Sequence, residues 1–397
     1  MNSNPALNTL SGQMSANSLF QQKPHYELLD GLRGVAALMV IWYHFFEGFA
    51  TSMVDQKCNH GYLAVDFFFV LSGFVIGYAY DDRWKKGLTK SGFILRRLIR
   101  LQPMVVIAVC LGLISFIIQG CEHWDHTIAP TWAIILSFIF GLFMLPAIPG
   151  TEIDVRGNEE MFPLVGPAWS LFFEYIGSFL YAIWLHKLNS NTLRLVVISS
   201  AIGLSVVALC NFSGAYSLGV GWSLAEMGFF GGLMRLGFSF GMGLLMSRNF
   251  RPLKIKGGFW ICSVLIIIMM WMPYISPNGE PSIWNGVYDL ICTFFIFPFV
   301  VLLGASGKTT DRLSEKTCSF LGVISYPIYI IHYPVMYLFY AWVWNNGYSF
   351  DEVWQSTVII FITLIPVSYL FVKYYDLPVR KWLTSKLKTE KARQLNA

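Results

Sequence analysis

Arg33-Gly34-Val35-Ala36-Ala37-Leu38-Met39-Val40-Ile41-Trp42-Tyr43-His44-Phe45-Phe46 is an apolar run that carries a histidine deep inside it and begins on an arginine. A second run, Leu63 to Tyr80, carries Asp66 near its start. An ionisable side chain inside a membrane-length segment is costly to bury, so its default reading is a functional site. The runs decide the fold, and the charges inside them point to the chemistry.

The rest of the chain agrees with a membrane solvent. It has 397 residues, 55% hydrophobic, 17% aromatic and 13% charged, with a mean hydropathy of +0.54. Soluble domains carry about 25% charged residues. The apolar segments are continuous rather than alternating, which selects helices over barrel strands. The expected fold is an all-α, polytopic helix bundle. A net charge of +5 says little about nucleic acid, and no nucleic-acid partner is expected, because the basic residues cluster at span boundaries. Residues 1–25 are polar and expected to be disordered. No cleavable signal is expected, the first run serving as a signal-anchor. The seven cysteines show no CxxC or metal-type spacing, so no metal is expected. Cys58 and Cys121 fall in two loops expected outside, where a bridge between them is conceivable.

Apolar segments fall at 31–50, 61–80, 98–118, 131–148, 167–186, 193–210, 226–246, 259–275, 286–303, 318–341 and 354–375. The loop over 83–100 is strongly basic, as are the C-terminal residues from Lys373 onward. The positive-inside rule puts both in the cytoplasm, so the crossings must be even in number. The segment over 131–148, bounded by Pro130 and Pro146 and flanked by acidic loops, is read as re-entrant or interfacial. About ten crossings and two cytoplasmic termini are expected. With this topology His44 lies about 16 Å above Arg33, and Asp66, Glu174 and His332 fall at a similar depth in the outer half. Four such groups on four helices would make one polar pocket.

General-base activation of a hydroxyl is the chemistry this allows. A neutral histidine takes the proton, and a carboxylate on its other nitrogen fixes the tautomer. His44 with Asp66 is the expected dyad, against the alternative of a structural histidine. Arg97 and Arg100 sit at the cytoplasmic start of the third span, either as ordinary anchors or as ligands for a phosphorylated cofactor. Arg235 lies mid-span in a glycine-rich helix and needs a partner, for which Glu174 or Glu226 is expected.

Together these residues resemble the membrane acyltransferase-3 family of integral-membrane O-acyltransferases. Leu29-Asp30-Gly31-Leu32-Arg33 through His44 resembles an Arg-x10-His signature. Phe68-Phe69-Val70-Leu71-Ser72-Gly73-Phe74, preceded by Asp66, is similar to an FFxxSGF motif. Arg97 to Arg100 resembles RxxR, Trp169-Ser170-Leu171-Phe172-Phe173-Glu174 resembles WSLxxE, and Ser325-Tyr326-Pro327-Ile328-Tyr329-Ile330-Ile331-His332 resembles SYxxYxxH. Asp376-Leu377-Pro378 departs from the Glu that relatives commonly carry before x-Pro.

The resemblance implies an enzyme that transfers acetyl, or a longer acyl group, from acetyl-CoA (acyl-CoA) to a hydroxyl of a carbohydrate or glycolipid. It implies catalytic roles for His44, Asp66 and Glu174. Arg33, Arg97, Arg100 and Ser72 would bind the acyl-CoA. Trp169, Tyr326, Tyr329 and His332 would bind the acceptor. Residues 26–376 would form the acyltransferase domain and 377–397 a basic cytoplasmic tail, a stand-alone form without an esterase-like domain. The expected location is a bacterial inner membrane. The rival is a proton-coupled transporter using the same His, Asp and Glu as a relay, and a non-catalytic assembly partner is a third reading.

Overall fold

The computed structural model describes residues 25–253, 257–309 and 311–395, with backbone alone for 388–395. The polar segment expected to be disordered thus lies almost wholly outside the described residues, as do Lys254 and Lys256. Among the described residues the fold is all-helical, with two isolated β-bridges and no strand. The helices are α1 (Glu27–Glu47), α2 (Ala64–Trp84), α3 (Lys90–Ile118), α4 (Thr131–Leu142), α5 (Ala168–Ile183), α6 (Ser190–Leu209), α7 (Gly228–Arg248), α8 (Gly258–Trp271), α9 (Ile283–Ser306), α10 (Arg312–Asn346), α11 (Phe350–Phe371) and α12 (Leu377–Leu395).

Eight stretches are long and apolar enough to cross a membrane, and three shorter apolar helices, α4, α5 and α8, accompany them. The segment singled out as non-spanning is α4, 12 residues long, about 18 Å at 1.5 Å per residue against a hydrocarbon core of about 30 Å. The expected ten crossings ask α5 and α8, 16 and 14 residues long, to cross as well. The residues read as a tail continue α11 as helix α12 through a π-helical turn at Val372–Asp376. All seven cysteines are free, so Cys58 and Cys121 do not pair. Cys58 is buried, its thiol directed at the Met39 carbonyl, 3.9 Å away.

Two helix pairs form the centre, α1 against α10 and α2 against α7. Without a hydrophobic force between helices in lipid, close approach of small residues holds such pairs together. At the α2–α7 crossing a Cβ on Gly73 would stand 2.1 Å from the Phe240 carbonyl oxygen, and one on Gly243 2.1 Å from that of Val70. The glycines therefore press the two backbones together and carry Asp66 on α2 against Arg235 on α7. The chain between α4 and α5 also enters the bundle: residues 160–168 are all buried. Hence α5 starts below the surface, and its side chains sit deeper than a span starting at the membrane boundary would put them.

Two abutting cavities at the bundle centre

The side chains singled out in the sequence gather around two cavities rather than one. The inner cavity, of about 420 Å³, opens near the start of α1 and the basic 83–100 segment. Arg33, Ser72, Arg97, Arg100, Glu174, Tyr326 and Tyr329 all line it. The outer cavity, of about 470 Å³, is lined by His44, Glu47, Glu160, Trp169, Arg235, Tyr329, Tyr333, Tyr337 and Tyr340 among others. Val65 and Tyr329 line both, so the two cavities meet there.

In the inner cavity four guanidinium groups (Arg33, Arg83, Arg97, Arg100) face two carboxylates (Asp30, Glu174). Arg33 donates from Nε to Ser325 Oγ at 2.8 Å and pairs with Asp30 at 3.2 Å. Arg97 is paired with Glu174 and donates to Ser178 Oγ at 3.1 Å. Ser72 Oγ donates to the same Glu174 oxygen at 3.0 Å. Three motif residues from α2, α3 and α5 thus form one knot. Arg100, one turn beyond Arg97 on the same face of α3, has no hydrogen bond or ion pair among the described residues. It is left available to a ligand, as is Arg83, whose guanidinium lies over the Tyr80 ring at 5.3 Å. Tyr326 donates to the Leu101 carbonyl at 2.6 Å, which ties α10 to α3.

His44 is positioned within its own helix. Its Nδ1–H donates to Glu47 Oε2 at 2.6 Å, three residues on. Tyr340 holds that arrangement, donating to the His44 carbonyl at 2.7 Å and standing 3.0 Å from the same Glu47 oxygen. Among the described residues Nε2 has no protein partner. The ring is packed edge-on by Tyr333, 4.8 Å between centroids, and lies 5.4 Å from the ring of His332. His332 is fully buried and donates from Nδ1 to the Ile328 carbonyl at 3.1 Å, while its own Nε2 is without a partner.

The single outer layer and the His44–Asp66 dyad are corrected by this arrangement. Asp66 is fully buried and engaged by Arg235, at 2.7 Å and 3.2 Å, and lines neither cavity. A guanidinium fork in an apolar interior needs a carboxylate, and the glycine crossing of α2 and α7 brings Asp66 to it. Neither Glu174 nor Glu226 is that partner. The remaining Arg235 donors go to the Val220 and Tyr62 carbonyls, each at 2.9 Å, with Trp169 5.2 Å from its centre. Glu174 lies on the inner cavity because α5 begins low in the bundle. His332, expected to face the acceptor, lines neither cavity.

The residues not foreseen are Glu47, Glu160 and the tyrosines beyond the SYxxYxxH stretch. Two of these had a visible signal. Glu47 is three residues after His44, the spacing at which helical side chains meet. Tyr326, Tyr329, Tyr333, Tyr337 and Tyr340 recur at intervals of three and four, so they share one face of α10. That stripe runs from the inner cavity to the outer one. Glu160 had no such signal, since it is brought in by an irregular loop. Among the described residues no group of three or more His, Cys, Asp or Glu could hold a metal ion.

A family model described as an acyltransferase domain matches residues 26–373. Over 188 residues the chain is 37% identical to "Protein 2 in picA locus" of Rhizobium radiobacter, covering 46% of this chain and 93% of that one. It is 23% identical over 372 residues to the peptidoglycan O-acetyltransferase OatA of Listeria monocytogenes, covering 89% of this chain and 55% of OatA. It is 25% identical over 370 residues to a putative O-acetyltransferase of Staphylococcus aureus, covering 89% of this chain and 57% of the relative. The chain thus spans little more than half the length of those two proteins. No solved structure matches it.

Proposed function

Because this chain belongs to the acyltransferase family whose model covers residues 26–373, we propose that it carries an acyl group from cytosolic acyl-CoA to a carbohydrate hydroxyl across a multi-pass bundle in a bacterial inner membrane. Acetyl-CoA is the proposed donor. The observation that carries the reading is the meeting of two chemically opposite cavities at Val65 and Tyr329. The cationic inner one suits the phosphates of a coenzyme, and Arg100 is an unengaged guanidinium on its wall. The outer one is lined by a histidine whose Nδ1 is tied to a carboxylate. A carbohydrate acceptor is also in keeping with the name of the Listeria relative, a peptidoglycan O-acetyltransferase.

The donor enters from the end bearing the basic loops, and its pantetheine arm reaches the junction. The acceptor hydroxyl enters the outer cavity and gives its proton to His44 Nε2. The resulting oxygen nucleophile attacks the thioester carbonyl, the C–S bond breaks, and coenzyme A departs as the thiolate, which recovers a proton from the imidazolium. Glu47 holds the tautomer and stabilises the cation. Asp66, proposed from the motif as catalytic, is reassigned to neutralising Arg235. Glu174 is reassigned to holding Arg97 and Ser72 in the inner cavity. Tyr326 and Tyr329 line the donor path, Trp169 and Tyr329 lie on the acceptor side, and His332 packs behind His44.

Incubating the purified chain with labelled acetyl-CoA and glycan acceptors tests this. Labelled ester on sugar is expected, and its loss in a folded His44→Ala variant. Normal transfer by that variant would remove His44 as the base. Ping-pong kinetics would replace direct attack by an acyl-His44 intermediate.

A further inference from the structure

The loop between α4 and α5 gives the outer cavity a carboxylate for which the acyl-transfer step has no use. Glu160 is 8% exposed and lines that cavity. It accepts hydrogen bonds from Tyr337 and, at 3.3 Å, from Tyr333, which leaves further lone pairs on its oxygens for a ligand donor. Burial pushes its carboxyl up to about 7, against the Tyr337 hydrogen bond and the charge of Arg156, with Glu47 and Asp154 adding in the same direction. It is ionised in mildly alkaline solution.

Among the described residues no cation on the cavity wall is free to balance it, and Arg156 offsets its charge only from behind that wall. Arg235, the one guanidinium lining the cavity, has its donors committed to Asp66 and two carbonyls. Arg156 lies behind the Tyr337 ring, 3.5 Å from its centre, and donates to the Pro163 carbonyl and to Gln119. Glu47 adds a second carboxylate on the cavity wall. The rest of the wall is largely aromatic, with Trp124, Trp169, Trp222 and Trp344 beside the tyrosines. Such side chains offer flat apolar faces with polar edges. A pyranose has the complementary form, C–H faces and a rim of hydroxyls.

Resting on the reading that this cavity receives the acceptor, we propose that the group admitted is an uncharged sugar ring, and that Glu160, with Glu47, turns away acceptors bearing carboxylate or phosphate. A carboxylate accepts hydroxyl hydrogens readily and repels a second anion in a desolvated chamber.

The full-length chain in lipid nanodiscs at pH 8 is titrated with an N-acetylglucosamine tetramer and with a galacturonic acid tetramer, following tryptophan fluorescence. Saturable binding of the neutral tetramer is expected, with the galacturonate at least ~tenfold weaker, and Glu160→Gln is expected to narrow that gap. Where that variant does not fold, the unsubstituted chain's ratio decides alone. Equal or tighter binding of the galacturonate, or saturable binding of neither, overturns the inference. Binding of the neutral tetramer with no labelled acetyl ever reaching it would count against acyl transfer and leave the inference standing.

Discussion

His44 was legible because its cost was legible: an imidazole in an apolar run needs a reason. Its partner was harder to read. Glu47 looks like an ordinary polar residue closing a helix, yet its carboxylate, 2.6 Å from Nδ1, determines which nitrogen faces the cavity. Glu47→Gln removes the charge and keeps the shape. Its expected effect is a fall in kcat of about 10- to 100-fold, within the range of general-base contributions, with KM for acetyl-CoA unchanged. Steady-state kinetics check both halves, and a wild-type kcat would remove Glu47 from the mechanism. Arg100 is the converse case. Spacing pointed equally to Arg97 and Arg100, and only the structure separates them, since Glu174 and Ser178 take up Arg97. Arg100→Ala is expected to raise KM for acetyl-CoA about tenfold, the loss of one charge-assisted contact, and to leave thermal stability alone. Unchanged KM would assign Arg100 to membrane anchoring.

At the scale of the helix, periodicity showed where the segments lie but not which faces meet. The six glycines around Arg235 announced close packing without saying against what. The answer is α2, and the pairing of Asp66 with Arg235 follows from it. Asp66→Ala strands a buried guanidinium and should cost about 3–5 kcal/mol, seen as a lower unfolding midpoint in detergent. Asp66→Ala combined with Arg235→Met should recover part of that loss, and strict additivity of the two single effects would show the pair is not coupled. Gly73→Ala is expected to destabilise by about 1–3 kcal/mol through overpacking, because its Cβ would meet the Phe240 carbonyl. A Gly73→Ala protein melting with the wild type would mean that the helices can separate without penalty. Helix α10, 35 residues long with Pro327 and Pro334 inside it, carries the tyrosine stripe from Tyr326 to Tyr340. Its three-and-four spacing was visible in the sequence, though only the first two tyrosines were read as functional.

Over the whole molecule, the sequence reading placed its polar residues by counting residues from span ends. That ruler works for α1 and fails for α5, whose start is pulled inward by a buried loop. The result was one imagined chamber where there are two, with opposite electrostatic character. A plug at their junction separates the halves of the proposed reaction. Val65→Trp should abolish acyl transfer while acetyl-CoA still binds with near wild-type affinity, measured by equilibrium dialysis. Full activity in that variant would show that the acyl group takes another route.

The same junction bears on how much the protein must move. Where a carrier has to rock so that one pocket faces each compartment in turn, here two cavities are present at once on either side of Val65 and Tyr329. In the proposed reaction only a small fragment need change hands through the bulkhead, and coenzyme and glycan would each retreat by the door they came through. Turnover should therefore survive covalent tethers between neighbouring helices that would freeze an alternating pump.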